Sequence, residues 1–260
     1  MKIRTVSRIR DSFWWFYLLL TMALLARAVE DLFNRRWDIH VGAIFDYRHA
    51  GGIPLYSTNI LSLELALVIA GAVLLLTRQK RVGALLAFAG LAMGLTQMFM
   101  NQKILLLVMC AVVAIQPPEK SQSSWRFLRW QLLLVYLFSA VAKAFEDFGS
   151  GKVLQQLGQS LSGPMGVLVS WVQTLPGGVL LSSSLIVGLQ VLLPTLLLYR
   201  PKAGVLVVAG FHLVLALLLP DIWAFSFGML ALAVLFLPQD LSQKSEPLMG
   251  SYIDEGPKTE

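Results

Sequence analysis

The chain has 260 residues, of which 57% are hydrophobic and 14% charged, with a formal charge of +6. A soluble domain is about 45–50% apolar and about 25% charged, so a water-soluble fold of this composition would expose large apolar patches and aggregate. Disorder is excluded by the abundance of hydrophobic groups, and the single cysteine, Cys110, excludes a disulfide framework and any multi-cysteine zinc or iron–sulfur site.

About 20 apolar residues cross about 30 Å of hydrocarbon. Runs near that length predict eight helical spans, roughly 13–33, 58–77, 82–100, 102–117, 127–146, 178–199, 203–219 and 222–238. The expected fold is therefore all-α, a polytopic transmembrane helical bundle, because open sheet edges cannot be satisfied in lipid. Residues 1–12 form a basic, cytoplasmic, interfacial segment, 13–238 the membrane domain, and 239–260 a polar tail expected to be disordered and cytoplasmic.

In chain order, Trp14, Trp15 and Phe16 open the first span as interfacial anchors. They favour an anchor over a cleaved signal peptide, although Ala26-Arg27-Ala28 loosely imitates a cleavage site. The outer loop 34–57 carries Arg35, Arg36, Asp38, His40, Asp46, Arg48 and His49, a density that suits either a cover over an outward pocket or a solvated loop. Gly83, Ala84, Ala87, Ala89, Gly90, Ala92 and Gly94 in the third span predict close helix packing. A tight turn at Asn101-Gln102-Lys103 leads into the fourth span, where Cys110 reads as an inert thiol among leucines and valines. The apolar stretch 164–175 is too short to span and is expected to lie at the interface or to re-enter. No inverted repeat or broken-helix pair of the transporter type is evident.

The positive charge orients the chain. With a cytoplasmic N-terminus, the inside segments hold 14 of the 21 lysines and arginines, including Arg78, Lys80, Arg81, Arg126, Arg129, Arg200 and Lys202. Arg35, Arg36, Arg48, Lys103 and Lys152 fall outside, and Arg27 and Lys143 lie within spans. This is the positive-inside pattern for eight helices with both termini cytoplasmic. Basic groups scattered over short connections serve as topology signals, so no nucleic-acid partner is expected.

Ionisable groups inside spans are costly and mark candidate sites. Lys143, near the outer end of the fifth span, could serve as a base if desolvated, or could pair with Glu146 and Asp147 on the same helix face and anchor the helix end. His212 in the seventh span suits a proton relay or a bond to a neighbouring helix. Metal ligation is not expected, because His40 and His49 lie in a distant loop without ligand spacing. Arg27 and Glu30, three residues apart, are expected to neutralise charge. Gln97, Asn101 and Gln102 are suited to hydrogen bonds between helices.

The run Gln131-Leu-Leu-Leu-Val-Tyr136, continuing through Ala140-Val-Ala-Lys143 to Asp147 and Gly151, resembles the segment of vitamin K-dependent γ-carboxylases that carries their catalytic lysine. Phe211-His212 and Phe225-Ser-Phe-Gly228-Met229 resemble stretches near the end of that family's membrane region. The resemblance covers roughly residues 13–238, the extent of the HTTM domain shared with many bacterial membrane proteins. It implies an inner-membrane bundle whose chemistry faces outward and a carboxylase-like or quinone-linked membrane enzyme. It also implies a quinone-like cofactor or substrate, with Lys143 as base and His212 in a weaker role. Tyr136, Asn101, Gln102, Arg27 and Glu30 complete the candidate pocket. Two departures argue against γ-carboxylation itself. Asn101 is followed by Gln102 where the family has a histidine, and about twenty residues follow the last span where the carboxylase carries a large lumenal domain. The rival expectation is a non-catalytic membrane factor that helps assemble, mature or export a partner protein.

Overall fold

No proline or glycine interrupts the chain before Asn34, and the first helix accordingly runs unbroken from the basic N-terminal segment into the first apolar run. The computed structural model describes residues 3–34, 58–97, 101–145, 150–152, 155, 163–219 and 222–237. Among these, every long apolar run of the sequence is helical, and there is no strand. In chain order the helices are α1 (Ile3–Asn34), α2 (Thr58–Leu75), α3 (Lys80–Gln97), α4 (Asn101–Ile115) and α5 (Gln122–Phe145). They continue with α6 (Gly163–Thr174), α7 (Gly178–Tyr199), α8 (Pro201–Leu218) and α9 (Trp223–Val234). The outer loop with His40 and His49, the residues Glu146 and Asp147, and the tail 239–260 lie outside the described residues.

Among the described residues, three helical segments are long and apolar enough to cross a membrane: Ser12–Leu32, Gln122–Phe145 and Gly178–Tyr199. Ser62–Leu75, Asn101–Ile115, Pro201–Leu217 and Trp223–Val234 are shorter apolar helices. Helix α5 starts five residues before the apolar run predicts, because Ser121 caps it by accepting the Ser124 N–H at 3.3 Å. The stretch expected at the interface forms the twelve-residue helix α6, about 18 Å long, and packs against α7.

Helix α1 packs extensively on α9 and also touches α2 and α4. Helices α2 and α3 form the tightest hairpin. A Cβ on Gly83 would lie 2.7 Å from the Gly71 carbonyl oxygen, and one on Gly71 would lie 2.6 Å from the Gly83 carbonyl oxygen. Only paired glycines let these backbones meet, as the small-residue pattern of the third span predicts. Helix α5 joins the two sides of the molecule, contacting α7, α9 and α4.

Polar contacts mark both ends of the bundle. At one end, Tyr17 donates to Glu119 at 2.6 Å, and Lys80 pairs with Glu119 at 3.0 Å while lying 3.9 Å above the Tyr17 ring. Trp125 Nε1 there donates to the Leu235 carbonyl at 3.0 Å. The opposite end, where α1 and α5 finish and α4 and α9 begin, holds both candidate centres described next.

Candidate functional site

The first centre is ionic. Arg27, one α-helical turn before Glu30 and Asp31, reaches Glu30 at 3.1 Å and Asp31 at 2.5 Å. The guanidinium also donates to Gln102 of α4 at 3.1 Å. Lys103 lies next to that glutamine and pairs with Asp31 at 3.1 Å and with Glu64 of α2 at 2.9 Å. Glu30 accepts the backbone N–H of Ala224, at the start of α9, at 3.0 Å. Gly94 of α3 leaves room for this cluster, since a side chain there would collide with the Glu64 carboxylate. Arg27 and Lys103 have no exposed surface, and Glu30, Asp31 and Glu64 are buried as well.

The expected Arg27–Glu30 pair is therefore present within a larger assembly. Lys103, expected in an outer connection, is fully buried in the first turn of α4. A polar triplet between two apolar runs looks like an exposed turn. The carboxylates that draw Lys103 inward belong to other helices. Asp31 and Glu64, missed as site residues, carry a signal that could have found them, since each is an acid within or beside an apolar run. Asn101 is exposed at the start of α4.

The second centre is a cavity of about 390 Å³. Its walls come from α5 to α9 and are mostly apolar, including Val135, Val169, Val172, Val179, Ile186, Leu215, Phe225 and Met229. Tyr136, Ser139 and Lys143 enter it from one face of α5, as their spacing of three, four and seven residues dictates. Lys143 Nζ folds back one turn to donate to Ser139 Oγ at 2.5 Å. The ammonium thus points along α5 toward Tyr136, whose backbone lies about 10 Å from that of Lys143 along the helix axis.

At that depth the Tyr136 hydroxyl and His212 Nε2 of α8 are hydrogen-bonded at 2.9 Å. The His212 ring contacts the rings of Phe211 and Phe225, with centroid separations of 5.4 and 5.6 Å. Ser226 of α9 donates to the His212 carbonyl at 3.4 Å. Two further buried atoms of the lining residues have no hydrogen-bond partner within the described protein: His212 Nδ1 and Gln190 Oε1. Unsatisfied buried polar atoms cost about 1–3 kcal/mol each, so Gln190 Oε1 is suited to accept from a molecule in the cavity, and His212 Nδ1 to accept or donate according to its tautomer.

Of the expected pocket residues, the cavity brings together Lys143, His212 and Tyr136, whereas Arg27, Glu30, Asn101 and Gln102 are not among its lining residues. Arg27, Glu30 and Gln102 instead belong to the ionic cluster, because α1 packs on α9 and α2, and α4 on α3 and α9, rather than on α7 and α8. Gln190, Gln173 and Ser139 also line the cavity and escaped the sequence reading. Gln190 was the most accessible of these to inference, as a buried amide in a helix otherwise rich in leucine. Among the described residues, no cluster of histidine, cysteine, aspartate or glutamate could hold a metal ion. Comparison with protein-family models, curated proteins and solved structures finds no match.

Proposed function

We propose that this chain is a multi-pass protein of the bacterial inner membrane, with about eight spans, cytoplasmic termini and an HTTM-type bundle. Its outward-facing cavity binds a lipid-soluble, quinone-like molecule, with Lys143 as polar centre and base and His212 with Tyr136 as a second polar pole. True γ-carboxylation is not part of this reading. The observation that supports it is the convergence of Lys143, Tyr136 and His212 on one apolar cavity from two helices distant in sequence. Apolar walls with a few placed polar groups are the usual make-up of a small-molecule site. The buried Tyr136–His212 pair supplies a path for a proton, and Lys143 supplies either a base or a cation for a developing oxyanion.

The test uses full-length protein in detergent with a short-chain naphthoquinone and its quinol. Equilibrium binding is measured together with the absorbance of the quinolate anion. The wild type is expected to bind both saturably and to generate quinolate. Lys143→Ala should weaken binding at least about tenfold, by loss of a charge-assisted contact worth roughly 1.5–3 kcal/mol. Lys143→Arg should keep binding and lose deprotonation, since arginine holds its proton. Quinolate formation by Lys143→Arg at the wild-type rate removes the general-base role. Absence of saturable binding to the wild type removes the quinone-like ligand and favours the rival reading, a membrane factor for assembly, maturation or export of a partner protein.

A further inference from the structure

Helix α5 carries a cation at the head of an apolar stripe. Arg126, Trp130, Leu134, Leu137 and Val141 recur every three or four residues and so share one face of the helix. All five are exposed. From Arg126 to Leu137 the helix rises about 16 Å, close to one leaflet of a hydrocarbon core about 30 Å thick. A charged head over an apolar strip one leaflet long mirrors the layout of a phospholipid.

A second cation stands beside the first. Arg129, three residues on and therefore a neighbour on the helix surface, is half-buried. Its guanidinium carbon lies 4.5 Å from the Trp125 ring centroid and 4.2 Å from that of Phe236, just beyond α9. Trp125 is itself fixed by its bond to the Leu235 carbonyl at 3.0 Å. Stacking on ring faces leaves the edge of the guanidinium, where the N–H donors lie, free for another group. Among the described residues, neither Arg126 nor Arg129 makes a hydrogen bond or ion pair, and no Arg129 nitrogen is sealed inside the protein. Glu119, the acid shortly before α5, is engaged by Tyr17 and Lys80. Two adjacent guanidiniums that always carry their charge favour an anion that both can reach. A phosphodiester takes paired N–H donors from one and the charge of the other. A free phosphate would use the arginines alone, whereas a phospholipid also covers the apolar stripe.

We propose that Arg126 and Arg129 bind the phosphate of an anionic phospholipid whose acyl chains lie along the exposed face of α5. Trp125 and Phe236 are positioning residues that hold the Arg129 fork. The site lies at the end of the bundle opposite the ionic cluster and does not depend on what the cavity binds. It rests on the reading that the chain lies in a membrane.

Native mass spectrometry of the full-length protein tests the proposal, with phosphatidylglycerol and phosphatidylcholine of identical chains added to the detergent solution. The wild type should retain one phosphatidylglycerol per chain in preference to phosphatidylcholine by roughly twentyfold, about fivefold for each arginine. Arg126→Gln should lower that preference about fivefold, and Arg129→Gln by at least as much. Neutralising Arg200 and Lys202 together, two exposed cations away from the stripe, should leave the preference at the wild-type value. Equal retention of both lipids by the wild type, an unchanged preference in Arg126→Gln, or an equal fall in the Arg200→Gln/Lys202→Gln protein overturns the proposal. Displacement of phosphatidylglycerol by inorganic phosphate, against chloride of the same ionic strength, also overturns it, because the site then reads a free anion. Arg126 is exposed and makes no contact that folding needs, so its variant decides the matter even where Arg129→Gln fails to fold. A chain that stays monodisperse without detergent overturns the membrane reading itself, before any lipid is added.

Discussion

Replacing Arg27 with methionine removes the residue that ties α1 to both of its own carboxylates and to α4. Two ion pairs at 2.5 and 3.1 Å and a hydrogen bond to Gln102 at 3.1 Å disappear together. With an effective dielectric constant of about 20, a pair roughly 3 Å apart attracts by about 5 kcal/mol before desolvation. Most of that gross attraction offsets the burial of the charges, and truncating one partner of a buried pair costs about 3–5 kcal/mol. In detergent or lipid the separated helices find other polar partners, which places the expectation at the lower end, about 3 kcal/mol. The assay is reversible unfolding in mixed micelles, titrating a denaturing detergent and following helix separation by tryptophan fluorescence. Arg27→Lys should fall between the two proteins, because a point charge cannot span three acceptors as the planar fork does. An Arg27→Met protein whose unfolding free energy lies within about 0.5 kcal/mol of wild type, the range of an ordinary surface substitution, refutes the cluster as described.

Two other substitutions test the packing and the cavity. Gly83→Leu must push α2 and α3 apart, since even a Cβ there meets the Gly71 carbonyl at 2.7 Å. It should cost about 1–3 kcal/mol or more in the same unfolding assay, whereas Gly210→Ala, with open space around its position in α8, should be neutral or stabilising by up to about 1 kcal/mol. Tyr136→Phe removes the hydroxyl 2.9 Å from His212 Nε2 and leaves both ring nitrogens without a protein partner. It should destabilise by about 1–3 kcal/mol and weaken naphthoquinol binding, and an unchanged protein on both counts would detach the hydroxyl from the site.

What could be read from the sequence follows from what a linear pattern can encode. Apolar runs specify helices because each residue's transfer energy is a local property, so α2 to α4 and α7 to α9 were legible nearly to their ends, whereas α1 and α5 begin about ten and five residues before their apolar runs. Arg27 and Glu30 were legible as a pair because their spacing places them on one helix face. Lys103 was not, because its neutralising partners stand on α1 and α2, and only packing brings those helices to the start of α4. Gln190 stayed hidden for a different reason: a single amide barely lowers the hydropathy of a helix such as α7, although its unsatisfied oxygen matters to the cavity. Local cost therefore flags polar residues one at a time, and compensation across helices decides what each one does. In the ionic cluster every charge is held by an opposite charge on its own or another helix, and α9 is tied in through the Ala224 N–H. Among the cavity contacts described there is no such charge pairing, and His212 and Gln190 each keep one buried atom without a protein partner. Of the two polar centres at this end of the bundle, the cluster thus joins helices through opposite charges, and the cavity sets a few polar groups in apolar walls, the make-up of a small-molecule site.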